Sequence, residues 1–125
     1  MNMSGKGCWY IVDGYRPPVK KGGTKTYVGH ECYMILNCNE QDNHALIDIL
    51  FKDKDPILGI EYVVAAKRLP PFYNNQKEIL DGVSLDITEE YSIRFRSDVG
   101  IFVQNGRVDV NQSNLAYLAT IGFLE

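Results

Sequence analysis

Between residues 90 and 97 the chain alternates without a break: Tyr91, Ile93 and Phe95 against Ser92, Arg94 and Arg96. A period of two places each set on its own face of a strand, so this segment reads as a half-buried β-strand. The same pattern recurs elsewhere. Ala45, Ile47, Ile49 and Phe51 share a face with Asp48 and Lys52 opposite, and Ile60, Tyr62, Val64 and Ala66 alternate with Glu61 and Lys67. In residues 8–13, Trp9 and Ile11 lie on one side and Cys8, Tyr10 and Val12 on the other, which predicts a strand covered on both faces. This strand is expected to stop at Asp13-Gly14, ahead of Pro17-Pro18, which cannot donate to a ladder.

Turn chemistry separates the runs. Residues 39–43 and 52–56 are polar turn clusters, and residues 20–25, with Gly22-Gly23, read as an exposed loop. The longest apolar run covers residues 27–37, and residues 99–104 form a further strand after a turn at Ser97-Asp98. Residues 75–81 fit one helical turn with an Asn cap before it and Gly82 after it. Residues 115–123 fit a strand or a short helix equally. Turns at intervals of roughly eight to twelve residues, with little helical period, predict an all-β chain folded as an antiparallel β-sandwich. The whole chain, 1–125, is one domain on this reading, with residues 1–7 a flexible N-terminus.

Charge and cysteine usage narrow the setting. A net charge of −3, with basic residues scattered apart from Lys20, Lys21 and Lys25, argues against a nucleic-acid partner. The three cysteines, Cys8, Cys32 and Cys38, form neither a CxxC pair nor a zinc spacing, so reduced, mostly buried thiols are expected. No signal-peptide core opens the chain, and no window reaches the roughly 18 apolar residues that span a bilayer. A cytoplasmic protein without membrane insertion is the expectation.

The polar residues set into these strands carry a family resemblance. In order they are Cys8-Trp9, Gly14-Tyr15, Pro17-Pro18, His30-Glu31, Ile35-Leu36-Asn37, residues 53–56 and Lys67-Arg68. Tyr91-Ser92, Ser97-Asp98, Val103-Gln104 and Arg107-Val108-Asp109 follow. In order and spacing this set resembles the sensory rhodopsin transducer family across nearly the whole chain. The resemblance implies a compact β-sandwich, assembly as a homotetramer, and binding of a small polar metabolite such as a sugar or sugar acid. A membrane receptor or other signalling protein is the partner it implies. Where the family carries a His-Thr pair before the Arg, this chain has Asn105-Gly106, and Gly29 stands where Ser often precedes His30. Asn-Gly either breaks the strand into a type I′ turn or continues it with two small residues.

Eight residues are candidates for ligand binding: Arg107, Asp109, Gln104, Arg68, His30, Glu31, Trp9 and Asn37. Arg107 and Asp109, two apart in a strand, either recognise a polar ligand together or close a salt bridge. Trp9 is a sugar platform or, as the favoured reading, a core anchor; Tyr15 is a second apolar platform. His30 and Glu31 are adjacent, so they point to opposite faces, and His30 shares its face with Cys32, too few ligands for a metal. Asn37 either touches ligand or caps its strand through an Asx turn. No nucleophile elbow, phosphate-cradling loop or paired-carboxylate motif is present, so neither catalytic residues nor a cofactor is expected. A non-enzymatic binding module is the leading expectation. An interaction module without a ligand, using Leu118, Ile121 and Phe123, comes next, and an enzyme with His30 or Glu31 as base is last.

Overall fold

A computed structural model describes residues 5–15, 30–73, 85, 89–109 and 116–125. Eight strands follow in chain order: β1 Lys6–Tyr15, β2 His30–Leu36, β3 Asn43–Phe51, β4 Ile57–Val64, β5 Pro71–Tyr73, β6 Glu90–Asp109, β7 Ala116–Ile121 and β8 Phe123–Leu124. All the described pairings are antiparallel.

The architecture turns on β6. Its first half pairs with β1 and β3, giving the order β4-β3-β6-β1-β8. Its second half pairs with β2 and β7, with β5 beyond β2. One long strand thus belongs to both layers of the sandwich, and the residues expected to form a turn, Ser97 and Asp98, lie within it. The β3 register ends at Ser97 and the β2 register begins at Phe102, so the backbone between them needs other partners. Two asparagines supply them. Asn43 Nδ2 donates to the Val99 carbonyl at 2.7 Å and Asn39 Nδ2 to the Gly100 carbonyl at 2.8 Å.

The core lies between the layers. Trp9 and Ile11 of β1, Tyr33 and Ile35 of β2, Ile47 and Ile49 of β3, and Tyr91, Ile93, Phe95, Ile101 and Val103 of β6 are all buried. The opposite face of β1 differs from the expectation: Val12 is 59% exposed, and Cys8 and Tyr10 on the same side are only partly buried. β1 also continues past Asp13-Gly14, with a register shift between Ile11 and Gly14 in place of a stop, and it begins at Lys6.

Of the segment read either way, residues 116–121 and 123 are strand, in β7 and the start of β8. These last strands cross from one layer to the other, β7 on β6 and β8 on β1, with Gly122 at the crossing. A Cβ there would sit 3.0 Å from the Trp9 ring and 3.1 Å from Ile11, so the close approach favours glycine over any residue with a side chain. Asn105-Gly106 likewise continues β6, opposite Tyr33 and Cys32 of β2 and Thr120 and Ala119 of β7. The cysteines are all free, with only Cys32 fully buried. The expected helical turn at residues 75–81 lies outside the described residues.

Candidate functional site

The register of β2, β6 and β7 brings two rows of side chains together. Glu31, Arg107 and Leu118 are directly opposite one another across the three strands, and Tyr33, Asn105 and Thr120 form the next row. With alternate side chains on one face, both rows point the same way, towards β1 of the facing layer. There Asp13 and Tyr15 close over them. The result is a groove of about 250 Å³ lined by Asp13, Asn105, Arg107, Leu118, Ala119 and Thr120. A second cavity of about 170 Å³ adjoins it through Asp13, Asn105 and Thr120, where β7 and β8 change layers.

Glu31 is the anchor. It is fully buried and accepts hydrogen bonds from the Tyr15 backbone N–H, from Asn105 Nδ2 at 3.1 Å and from Arg107 Nη2 at 3.5 Å. Burial pushes its carboxyl above the ordinary range, and those three donors only partly pull it back. Arg107 Nη2 also donates to the Asp13 carbonyl at 3.4 Å, and its guanidinium carbon lies 5.7 Å from the centre of the Tyr15 ring. Both polar contacts of Arg107 are long. Its Nε and the Asn105 Oδ1 are buried with no hydrogen-bond partner. Both atoms are shut off from solvent, so the groove meets other parts of these two residues.

Against known proteins, a model of the Anabaena sensory rhodopsin transducer family matches residues 4–124. The chain belongs to the sensory rhodopsin transducer family. Its fold agrees with two solved structures. The crystal structure of Thermotoga maritima 1070 superposes with a TM-score of 0.81 at 28% identity, covering 98% of this chain and 97% of that one. The Anabaena sensory rhodopsin transducer superposes with a TM-score of 0.68 at 28% identity, covering 84% of this chain and 91% of that one. No curated protein matches. Family membership links the chain to sensory transduction.

Within this transducer-family chain the eight candidate residues do not form one constellation. Arg107 and Glu31 meet in the groove. Asp109 ends β6 opposite Ala116, and His30 opens β2 opposite Val108, both at the same end of the sandwich. Gln104 is exposed between Met34 and Ile121. Trp9 is in the core, where its indole N–H donates to the Ile101 carbonyl at 2.8 Å, matching the favoured core reading.

Asn37 and Arg68 pair with each other at the far end of β2, six residues from Glu31, or about 20 Å of strand. Asn37 is fully buried and builds structure. Its Oδ1 accepts the Asn39 N–H at 3.0 Å, the expected Asx turn, and its Nδ2 donates to the carbonyls of Gln41 and Val64, both at 3.0 Å. Arg68 is exposed and donates to the Lys67 carbonyl at 3.0 Å.

The sequence reading missed two things. Asn105, read there only as a departure from the family, lines the groove and ties to Glu31. Asp48, placed on the solvent side of β3, is fully buried on that side. It accepts from Arg94 Nε at 2.7 Å, from Arg96 Nε and Nη2 at 2.9 and 3.0 Å, and from the Gly59 N–H at 2.8 Å. Gly59, at φ 73°, lies in a bulge where β4 carries extra residues opposite β3. Burial alone would raise the Asp48 carboxyl, but the bonds from Arg96, Gly59 and Arg94 outweigh it and hold it at about 2. A signal for this was present: Arg94 and Arg96, two apart on one strand, need an acid on the same face of a neighbour.

Proposed function

We propose that this chain is a non-enzymatic sensory module that holds a small polar metabolite, of the sugar or sugar-acid class, in the Arg107–Asn105 groove. One observation carries the reading. Arg107 and Asn105 line one groove and both bond to the buried Glu31 carboxylate, so a guanidinium and a carboxamide are held together along a concave wall, the kind of polar pair that orients a small ligand. A groove of about 250 Å³ lies below the usual range for drug-sized ligands and suits a small metabolite. Leu118 and Ala119 supply an apolar wall. Glu31 accepts from Tyr15, Asn105 and Arg107, which suits holding the arginine rather than acting as a base. Of the sequence candidates, Arg107 and Glu31 would serve the ligand, with Asp109 and His30 at the same end; Trp9, Asn37, Arg68 and Gln104 would not.

The test is thermal. A panel of sugars and sugar acids should include a compound that raises the melting temperature of the wild type and leaves Arg107→Ala unmoved. A panel without effect on well-folded protein sinks the reading.

Assembly belongs to the same proposal. Tyr117, Leu118, Ile121, Phe123 and Leu124, in β7 and β8, are 55–71% exposed, a concentration of apolar surface that favours contact with other chains. We take it to serve a homotetramer and docking on a membrane receptor or other signalling protein in the cytoplasm. Ile121→Glu combined with Phe123→Glu should lower the oligomeric state in analytical ultracentrifugation. An unchanged sedimentation coefficient counts against this role for the face.

A further inference from the structure

Given a ligand in the groove, its charge is constrained by what already surrounds Arg107. We infer that Glu31 makes the groove select neutral ligands over acids, and that removing its charge admits carboxylates. The inference rests on the ligand-binding reading and adds a specificity-determining residue to it.

The groove's cation is already matched. Arg107 is the only basic side chain lining it among the described residues, and fully buried Glu31 lies 3.5 Å away. A hydroxyl or a carboxamide can hydrogen-bond along the Arg107 and Asn105 wall without bringing charge. A carboxylate adds a second negative charge beside Glu31 in a site partly closed to water.

The other surroundings point the same way. From β1, Tyr15 gives Glu31 a backbone N–H, and Asp13 adds a further acid at the groove wall. From β6 come Arg107 and Asn105; from β2, Tyr33, whose hydroxyl is bonded to that of Tyr91 at 2.5 Å. From β7 come Leu118, Ala119 and Thr120, all uncharged. Burial raises the Glu31 carboxyl, so acidification removes its charge sooner than that of an ordinary glutamate and works in the same sense as Glu31→Gln.

The experiment uses two isosteric probes, glucuronamide and glucuronate, titrated into wild type and Glu31→Gln by NMR. The readouts are the Asn105 side-chain amide and the Arg107 Nε–H. Wild type should bind glucuronamide about tenfold or more tighter than glucuronate at neutral pH, and Glu31→Gln should erase that ratio. Acidifying wild type should move the ratio in the same direction, because burial raises the Glu31 carboxyl, and this covers a variant that folds poorly. Equal affinity of wild type for both probes, or a ratio unchanged in Glu31→Gln and at low pH, overturns the inference while leaving ligand binding intact. Binding of neither probe by either protein overturns the ligand-binding reading and this inference with it.

Discussion

Glu31 and Arg107 stand directly opposite each other in the β2/β6 ladder, and their side chains meet at 3.5 Å with the acid fully buried and the base 32% exposed. The asymmetry sets what each substitution does. Arg107→Met takes a cation from beside a buried carboxylate that keeps its bonds from Tyr15 and Asn105, and with the contact long and the arginine part-solvated the cost should be about 1–3 kcal/mol. Adding Glu31→Gln should recover most of it, because the buried charge is gone. Urea unfolding of the single and double variants checks this; a double variant no more stable than Arg107→Met contradicts the account.

Asp48 gives the protein an acid-sensitive brace on the outer face of the β4-β3-β6-β1-β8 layer. Its carboxyl is held at about 2 against an ordinary 3.8, so the stabilisation is complete above the ordinary value and is lost as pH falls through about 2. With the two arginines part-exposed, the contribution should be about 1–2 kcal/mol. Glu31 has the opposite sign. Its folded value is raised, so stability falls as pH rises from the ordinary range of a glutamate through that higher value. Unfolding free energies measured across acid pH should lose the lower component in Asp48→Asn and the upper one in Glu31→Gln. Identical pH profiles for wild type and both variants would contradict these assignments.

Two glycines separate a rigid neighbour from a yielding one. A Cβ at Gly14 would fall 2.6 Å from the ring of Tyr91, which is buried and bonded to Tyr33. A Cβ at Gly106 would fall 2.8 Å from Cζ of Tyr117, whose side chain is exposed and free to swing outwards. Gly14→Ala should therefore cost about 1–3 kcal/mol and Gly106→Ala well under that. Thermal melts of the pair decide it, and the reverse order would be wrong for this packing.

Asn37 separates structure from site. Removing its amide breaks the Asx turn to Asn39 and the bonds to Gln41 and Val64, so Asn37→Ala should destabilise by about 2 kcal/mol. Any metabolite response should survive, because Asn37 is at the far end of β2 from Arg107. A variant of undiminished stability that had lost the response would reverse the two roles.

How far the sequence could be read follows from the range of its signals. The alternation of Tyr91, Ile93 and Phe95 is local, and it gave the core row of β6 directly. The same local logic broke β6 at Ser97-Asp98, because the asparagines that support the crossing, Asn39 and Asn43, act from more than fifty positions away. Register is non-local too. Nothing near Glu31 announces that it faces Arg107 and that Asn105 faces Thr120, so the candidate list mixed groove residues with Asn37 and Arg68 from the other end. Trp9 was legible as core because an aromatic beside Ile11 in a short strand has few other places to go.

The central claim is that a small polar molecule occupies the groove lined by Arg107 and Asn105. The most direct measurement is a crystal structure of protein purified gently from its native host. The predicted result is density for a compact organic molecule in the groove against Arg107 and Asn105, with Leu118 and Thr120 beside it. Ordered water alone at that position, after soaking with the sugar and sugar-acid panel, would contradict it.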